Sequence, residues 1–227
     1  MLSLGKLFSG SEKQIVLKQE PVAVEQVVIK QVAVFGGAHV TPDSPTFREA
    51  RSVAKALAEA GYTVIDGGGP GVMKAASLGA KEGNGKAVGV TFYPNDMPTF
   101  EGRDKTNPID EEIKTNNYVQ RTLTLMGEGQ VFVVFKGGSG TISEFGMAWG
   151  LARLYFGHHK PLILYGNFWK KIMKAFEENM IIQPEELKVY KVVNSPKEVI
   201  LAIRDFEDEL NRGEHPGVRA VINNGVV

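Results

Sequence analysis

Residues 131–144 read VFVVFKGGSGTISE, an apolar run that passes directly into a glycine-rich turn and then a polar helix start. The first five residues are β-branched or aromatic, without polar alternation, which is typical of a strand buried on both faces of a parallel sheet. Helical spacing of apolar residues resumes after the turn. The stretch therefore predicts a strand, a tight loop and a helix, the repeating unit of α/β folds.

The same unit recurs on both sides of this stretch. Apolar runs predict further strands at 27–35, 62–65, 87–92, 161–165 and 189–193. Helical periodicity predicts helices at 46–60, 72–81, 116–126, 141–156, 168–180 and 196–210. Residues 93–113 are rich in Pro, Asn, Asp and Thr and show no period, so we expect a long functional or mobile loop there.

Alternating strands and helices predict a single α/β domain with a Rossmann-like, doubly wound parallel sheet of about six to seven strands and helices on both faces. We expect this nucleotide-binding domain to span residues 27–210, between an N-terminal extension at 1–26 and a C-terminal tail at 211–227. Such sheets bind ligands at the carboxyl ends of their strands, where the glycine-rich loops of this chain also fall.

Composition limits the classes of partner. The 227 residues hold 26 Lys plus Arg and 26 Asp plus Glu, so no net positive charge favours a nucleic-acid partner. Cysteine is absent, which excludes disulfides, thiolate metal sites and cysteine nucleophiles. No apolar run approaches the length of a membrane span, and residues 1–10 lack the apolar core of a secretory signal. We therefore expect a cytoplasmic protein without membrane contact.

Two glycine-rich loops, GGGPG at 67–71 and KGGSGT at 136–141, each follow a strand and precede a helix. A glycine in place of alanine destabilises a fold by about 0.5–1 kcal/mol, so such clusters indicate either tight turns or close approach to a ligand. Free N–H groups and the helix dipole attract anions at these positions. Neither loop ends in the Lys-Ser/Thr of a P-loop, and the first strand does not lead into G-x-G-x-x-G. A phosphorylated nucleotide is expected, but not at a P-loop or an ordinary NAD site.

Glu144 follows Thr141 by three residues at a predicted helix start, which has two interpretations. The pair can form a capping box, a common device at helix N-termini. Alternatively, the carboxylate faces the sugar of a bound nucleotide. It would there position water and stabilise the positive charge that develops as a glycosidic bond breaks.

Arg121 lies on the helix that precedes the strand at 131–135. The apolar positions Val119, Leu123 and Met126 predict the buried face of that helix. Arg121 falls off this face, which indicates a solvent-exposed charge. His39 follows the first strand, where it can reach a ligand or simply occupy a turn.

Three segments resemble the Lonely Guy (LOG) family of cytokinin riboside 5′-monophosphate phosphoribohydrolases. They are FGG at 35–37, GGGPGVM at 67–73 with the following Ala75-Ala76, and GGSGTISE at 137–144. The family signature P-G-G-x-G-T-x-x-E is present except for its first residue. The resemblance extends over residues 32–203 and therefore covers nearly all of the predicted domain.

The resemblance implies hydrolysis of the N-glycosidic bond of a nucleoside 5′-monophosphate, AMP or a cytokinin riboside monophosphate, to free base and ribose 5-phosphate. It carries the family's two catalytic residues onto Arg121 and Glu144. It also implies a homodimer with the site near its interface, and neither a metal nor a redox cofactor. The nucleotide would bind the glycine-rich segments, at Gly36, Gly37, Gly68, Gly69, Gly71, Gly137, Gly138, Ser139, Gly140 and Thr141.

The chain departs from the family pattern at several positions. Lys136 replaces the signature Pro, and Thr122 stands where a Lys usually follows the catalytic Arg. Val119 stands where His or an aromatic residue is usual, and Asp66 places a negative charge before the first glycine loop. A second interpretation is therefore a non-catalytic carrier or sensor, of a nucleotide or of the molybdenum cofactor, on the same fold. A third is a structural partner that neither binds nor converts nucleotides.

Overall fold

The computed structural model describes residues 26–94, 102–153 and 160–212, which form one parallel sheet with helices on both faces. The strands are β1 Gln31–Phe35, β2 Thr63–Asp66, β3 Ala87–Phe92, β4 Glu111–Thr115, β5 Val131–Val134, β6 Leu162–Tyr165 and β7 Tyr190–Val193. The helices are α1 Pro45–Glu59, α2 Val72–Glu82, α3 Tyr118–Glu128, α4 Ser139–Arg153, α5 Phe168–Asn179 and α6 Pro196–Asn211, with a short 3-10 helix at Pro184–Lys188. No helix in these ranges is both long enough and apolar enough to span a membrane.

The strand order is β4-β3-β2-β1-β5-β6-β7, and every neighbouring pair is parallel. From β1 the chain adds strands on one side up to β4, then crosses over and adds β5 to β7 on the other side. The carboxyl ends of β1 and β5 therefore flank the switch point at which doubly wound sheets bind their ligands. The predicted fold class, a doubly wound parallel sheet in a single α/β domain, is confirmed.

The two faces of the sheet bury separate sets of apolar side chains. In β1, Val32 and Val34 pack with α1, α2 and α6, whereas Ala33 and Phe35 pack with α3, α4 and α5. Successive residues of a strand point to opposite faces, so a strand covered on both sides must be apolar throughout. This is why the run at 131–135 has no polar alternation, and why it identified a central strand.

Strand β4 falls at the end of the segment 93–113, for which the sequence predicted a loop, and that part of the prediction is wrong. The strand lies at the edge of the sheet and pairs with β3 along its whole length. Its sequence, EEIKT, has one apolar residue, since edge strands are commonly charged. Backbone pairing and polar contacts hold it in place, such as the Thr91 hydroxyl that donates to Glu112 Oε1 at 2.7 Å. No hydrophobic pattern therefore reveals it.

The other elements lie within a few residues of their predicted bounds, and β1 differs most because it begins at Gln31. Side chains accept hydrogen bonds from the backbone N–H groups before it. The Val27 N–H donates to Asn211 Oδ1 and the Lys30 N–H to Gln130 Oε1, both at 2.7 Å. The predicted end of α4 at 156 and most of the two predicted terminal segments lie outside the described residues. The domain bounds thus stay predictions.

Candidate functional site

A cavity of about 490 Å³ opens at the carboxyl ends of β1, β2 and β5. Its walls include the turn at 36–40 after β1, Gly67 after β2 and the loop at 136–141 after β5. The side chains of Arg121 and Glu144 also line it. The structure thus brings both predicted catalytic residues to the switch point of the sheet, together with segments from three strand ends.

The N-terminus of α4 forms one wall of this cavity. The helix begins at Ser139, and the Gly138 carbonyl accepts a hydrogen bond from the Ile142 N–H at 3.0 Å. The N–H groups of a first helical turn have no intrahelical partners and carry the positive end of the helix dipole. Residues 137–140 are exposed on the cavity wall, so this turn can bind a phosphate or carboxylate. Thr141 lies beside them and also lines the cavity.

The loop after β5 packs tightly against the turn after β1. The Gly37 N–H donates to the Lys136 carbonyl at 3.1 Å. A Cβ on Gly137 would lie only 2.1 Å from Thr141 Oγ1, so this position requires glycine.

Thr141 cannot be the N-cap residue of α4. The helix begins at Ser139, so Thr141 lies inside it, two residues after its start. The capping-box interpretation of Thr141 and Glu144 is wrong.

Arg121 and Glu144 form a buried ion pair in the cavity wall. Arg121 Nη1 lies 3.7 Å from Glu144 Oε1, and the two side chains are 8% and 10% exposed. Arg121 Nε donates to the Val90 carbonyl at 2.9 Å, and Nη2 lies 3.3 Å from Met73 Sδ. Contacts from β3, α2 and α4 therefore fix the guanidinium in one place.

The predicted buried face of α3 is wrong at Val119 and Leu123, although Met126 is buried as expected. Val119 and Leu123, which were expected in the core, are 63% and 54% exposed, while Arg121 is 7% exposed. The helix turns Arg121 inwards because the Val90 carbonyl and the Glu144 carboxylate satisfy its guanidinium there. A buried charge is tolerated only with such partners, and they come from other parts of the chain.

Burial raises the pKa of Glu144 to about 7, because the surrounding protein displaces the water that would stabilise the charged form. The positive charge of Arg121 opposes this shift, and burial outweighs it. A carboxyl group with a pKa near neutrality gains and loses a proton readily, as catalytic acids and bases must.

Asp66, which places a negative charge before the first glycine loop, does not line the cavity. The carboxylate is fully buried; it accepts hydrogen bonds from the Gly68 N–H and the Ser77 hydroxyl, both at 2.6 Å. Burial raises the pKa of Asp66 to about 6, against the effect of these hydrogen bonds. The negative charge that departs from the family pattern is thus turned away from the anion-binding wall.

The first glycine loop contributes one residue to the cavity, Gly67. The Gly68 carbonyl accepts from the Asp104 N–H at 3.0 Å and the Gly69 carbonyl from Asn107 Nδ2 at 2.9 Å. Gly71 lies against the turn after β1. Gly68, Gly69 and Gly71 do not line the cavity, so their contact with a nucleotide stays a prediction.

Sequence reasoning missed several residues of the cavity wall, among them Gly67, Met73, Tyr118 and Thr46. Tyr118 carried a usable signal, because it precedes Arg121 by three residues on α3 and such residues share a helix face. Gly67 belonged to a recognised glycine run, but its role depends on contact with Arg121. Met73 belonged to the resembling segment 67–73, but its residue type does not indicate a ligand, and Thr46 carried no signal.

Two residues that the sequence singled out for other reasons, His39 and Lys136, also line the cavity. Both are exposed there. Lys136 places a cation beside the N-terminus of α4, where the family signature has an uncharged Pro. Across the described ranges, no three His, Asp or Glu side chains lie close enough together to hold a metal ion.

The sequence profile of the SLOG cluster4 family matches residues 29–199. The chain belongs to this family. The match begins before β1 and ends in the first turn of α6, so it includes every wall of the cavity.

Individual proteins agree with the family assignment. An uncharacterized protein of Archaeoglobus fulgidus is 29% identical over 169 residues, which are 74% of this chain and 99% of that protein. A cytokinin riboside 5′-monophosphate phosphoribohydrolase of Mycobacterium tuberculosis is 29% identical over 170 residues, 70% of this chain and 88% of that protein.

Among solved structures, the molybdenum cofactor binding protein of Rippkaea orientalis superposes with a TM-score of 0.59 at 23% identity, over 79% of this chain and 98% of that one. This likeness shows the fold alone. The SLOG cluster4 match and the phosphoribohydrolase relative confirm the predicted relation to the LOG family.

Proposed function

We propose that the protein hydrolyses the N-glycosidic bond of a nucleoside 5′-monophosphate, AMP or a cytokinin riboside monophosphate, to free base and ribose 5-phosphate. One observation carries the proposal: the buried Arg121–Glu144 pair lines the same cavity as the N-terminus of α4. An anion site and a carboxyl group with a pKa near neutrality suit a substrate with a phosphate at one end and a scissile bond nearby. The Mycobacterium tuberculosis relative supports this reaction class by its name.

The phosphate end of the substrate binds the first turn of α4. Its N–H groups donate to phosphate oxygens, as at other helix N-termini. Lys136 lies on the same wall and adds a positive charge. The cavity volume of about 490 Å³ lies within the range of roughly 300–1,000 Å³ that is usual for small-molecule sites.

Glu144 acts on the ribose. Positive charge develops on the sugar as the bond from C1′ to the base lengthens, and the ionised carboxylate stabilises that charge. The same carboxylate accepts a proton from the attacking water as the water oxygen bonds to C1′ and the bond from C1′ to the base breaks. The base takes up one proton from solvent on its ring nitrogen, and Glu144 returns its proton to solvent, so the protons balance. Arg121 holds the carboxylate in place. The reaction consumes one water and needs no further reactant.

A non-catalytic carrier or sensor is the second candidate function, and Lys136 favours it. Its ammonium group has no ion-pair partner within the described part of the chain and stands where the family signature has no charge. A cation in place of the signature Pro strengthens binding of an anionic ligand, and a carrier or sensor needs tight binding without cleavage. The ligand would then be a nucleotide or the molybdenum cofactor, which the Rippkaea orientalis protein is described as binding.

The proposed assembly is a homodimer with the site near its interface. Val119 and Leu123 lie one turn apart on α3, and Ile142 lies near the start of α4; all three side chains are more than half exposed. They place apolar surface beside the cavity, where a second copy of the chain would cover it. The cytoplasmic location expected from the sequence stays a prediction.

The decisive experiment is incubation of the purified protein with AMP and other nucleoside monophosphates, with base release followed by chromatography. We expect release by the unaltered protein, and a decrease in kcat of about 100-fold or more in Glu144→Gln, with AMP affinity nearly unchanged. The exposed Glu177→Gln on α5 is the matched control and should retain full activity. Glu144 must be ionised to accept the proton of water. The value of kcat/KM should therefore rise with pH up to and through 7, the pKa of Glu144.

Each other outcome selects an alternative. Unchanged turnover in Glu144→Gln would show that Glu144 is not the catalytic carboxylate. Absence of base release, with AMP still raising the melting temperature, would favour the carrier or sensor. Neither release nor binding would leave the structural partner.

A further inference from the structure

Asp66, at the end of β2, is the fully buried carboxylate that the proposed reaction does not use. Its Oδ1 accepts from the Gly68 N–H and its Oδ2 from the Ser77 hydroxyl, both at 2.6 Å. Ser77 lies on α2, so the carboxylate ties the turn after β2 to that helix. Asp66 contributes no atom to the cavity wall. Any influence on a ligand therefore passes through a neighbouring residue.

That neighbour is Arg121. A Cβ on Gly67 would lie 1.5 Å from Arg121 Nη2, so the guanidinium rests directly on the Gly67 backbone. Gly67 stands between Asp66 and Gly68 in the chain, and the Asp66–Gly68 hydrogen bond closes this turn. The position of the guanidinium consequently depends on a conformation that Asp66 maintains.

The charges are coupled as well. Arg121 lies 3.7 Å from the Glu144 carboxylate, and its charge also lowers the pKa of Asp66 against the larger effect of burial. The charge of Arg121 lowers the pKa of both carboxyl groups, and an ionised Asp66 places a second negative charge beside the same guanidinium. A nearby like charge disfavours ionisation, so neutralising Asp66 would favour the ionised form of Glu144.

We propose that Asp66 is a positioning residue for the Arg121–Glu144 pair: it fixes the turn under the guanidinium and, when ionised, places a second negative charge beside it that disfavours ionisation of Glu144. The description of the pair as catalytic rests on the proposed function. The effect on Glu144 ionisation applies equally to a carrier or sensor. The unusual Asp before the glycine loop thus acts on the arginine instead of on a phosphate.

Other charged groups near the pair are less suited to this role. His39 and Lys136 are exposed, and water and salt screen exposed charges more strongly than buried ones. Arg103 lies on the far side of Gly68 and is engaged by Glu112, with Nε 3.6 Å from Oε1. The titratable and charged groups around the pair and the turn are Asp66 at the end of β2, His39 after β1, Lys74 on α2, Arg103 and Asp104 before β4, Tyr118 on α3 and Lys136 after β5.

The test is the titration midpoint of Glu144, measured by ¹³C NMR on protein labelled at the glutamate carboxyl carbons. Glu144→Gln assigns the resonance by its disappearance. In Asp66→Asn, the amide oxygen can accept from Gly68 and the amide nitrogen can donate to Ser77, so both contacts are retained while the charge is lost. We expect the Glu144 midpoint to fall by about 0.5–1 pH unit.

In Asp66→Asn, the acid limb of the pH profile of kcat/KM for AMP should move to lower pH by the same amount. Ser77→Ala removes a donor to the Asp66 carboxylate, disfavours its ionised form, and should lower the Glu144 midpoint by a smaller amount. Val199→Ala on α6 is the control, because it truncates a core side chain far from this turn. The Glu144 midpoint should not change in this variant.

An unchanged midpoint in both Asp66→Asn and Ser77→Ala would overturn the proposal and reduce Asp66 to a structural anchor. If Asp66→Asn does not fold, Ser77→Ala decides the matter alone. A protein that hydrolyses none of the nucleoside monophosphates refutes the proposed function, whereas the NMR titration still tests the role of Asp66.

Discussion

Glycine is required at several positions around the cavity, and the reasons differ from one position to the next. Gly71 has a φ of 65°, a backbone region that side chains rarely adopt. Gly67 does not, but the Arg121 guanidinium occupies the space that its side chain would need. A side chain at position 137 would likewise collide with Thr141. A glycine-rich motif therefore combines conformational demands with contacts to specific side chains.

Gly67→Ala should displace Arg121, because the added methyl carbon would overlap Nη2. A displacement of about 1 Å in a catalytic group can cost about 100-fold in rate, so we expect kcat/KM for base release to fall by that factor or more. Gly127→Ala on α3 is the control, since a Cβ there meets no atom within 4 Å. Full activity in Gly67→Ala would show that the reaction does not need Arg121 where the structure places it.

Helix α3 shows how polar contacts orient an element. The Asn117 side chain caps its start by accepting from the Gln120 N–H at 2.8 Å, and Lys160 Nζ donates to the Gly127 carbonyl at 2.7 Å near its end. Between these ends Arg121 reaches inwards to the Val90 carbonyl. Two apolar side chains, Val119 and Leu123, are left on the outward face, whereas Leu125 and Met126 pack into the core as in an ordinary surface helix.

Leu123→Glu should convert the proposed dimer into a monomer, because it places a charge in the centre of the exposed apolar face of α3. Sedimentation velocity of the variant and the unaltered protein measures this directly. Leu201→Glu is the control: Leu201 is 47% exposed on α6, which packs on the opposite face of the sheet. A monomeric unaltered protein, or a Leu123→Glu variant that remains dimeric, would contradict the proposed interface.

For the molecule as a whole, the buried carboxyl groups link stability to pH. Burial raises the pKa of Asp66 from 3.8 to about 6 and that of Glu144 from 4.5 to about 7. The folded protein holds these protons more tightly than the unfolded chain. Their contribution to the free energy of unfolding is therefore complete below the ordinary pKa values and is lost as pH rises through about 6 and 7.

Glu144→Gln should remove its part of this dependence, since glutamine does not titrate. Relative to the unaltered protein, the variant should gain free energy of unfolding as pH rises from 4.5 to about 7, and the gain should then level off. A shift of this size corresponds to a few kcal/mol, at ~1.4 kcal/mol for each pKa unit. Urea unfolding of both proteins across this interval measures the difference. A difference that does not vary with pH would contradict the raised pKa of Glu144.

The sequence by itself determined where the central strands and helices lie along the chain. A strand covered on both faces must be apolar throughout, and a covering helix must repeat its apolar residues at helical spacing, so both patterns are local and readable. The loop at 136–141 and the carboxylate of Glu144 were recognisable for the same reason, as a contiguous motif. The edge strand β4 was not, because its pairing is made by the backbone and its side chains are mostly charged.

Only the tertiary structure decided which side chains meet at the site. Arg121 turns inwards because Val90, Met73 and Glu144 surround it, and these belong to other elements of the fold. Asp66 turns away from the cavity, with Ser77 of α2 as a partner. A charged side chain is stable in the interior only where distant segments supply its partners. That condition is met once the sheet is assembled, and no local pattern of residues records it.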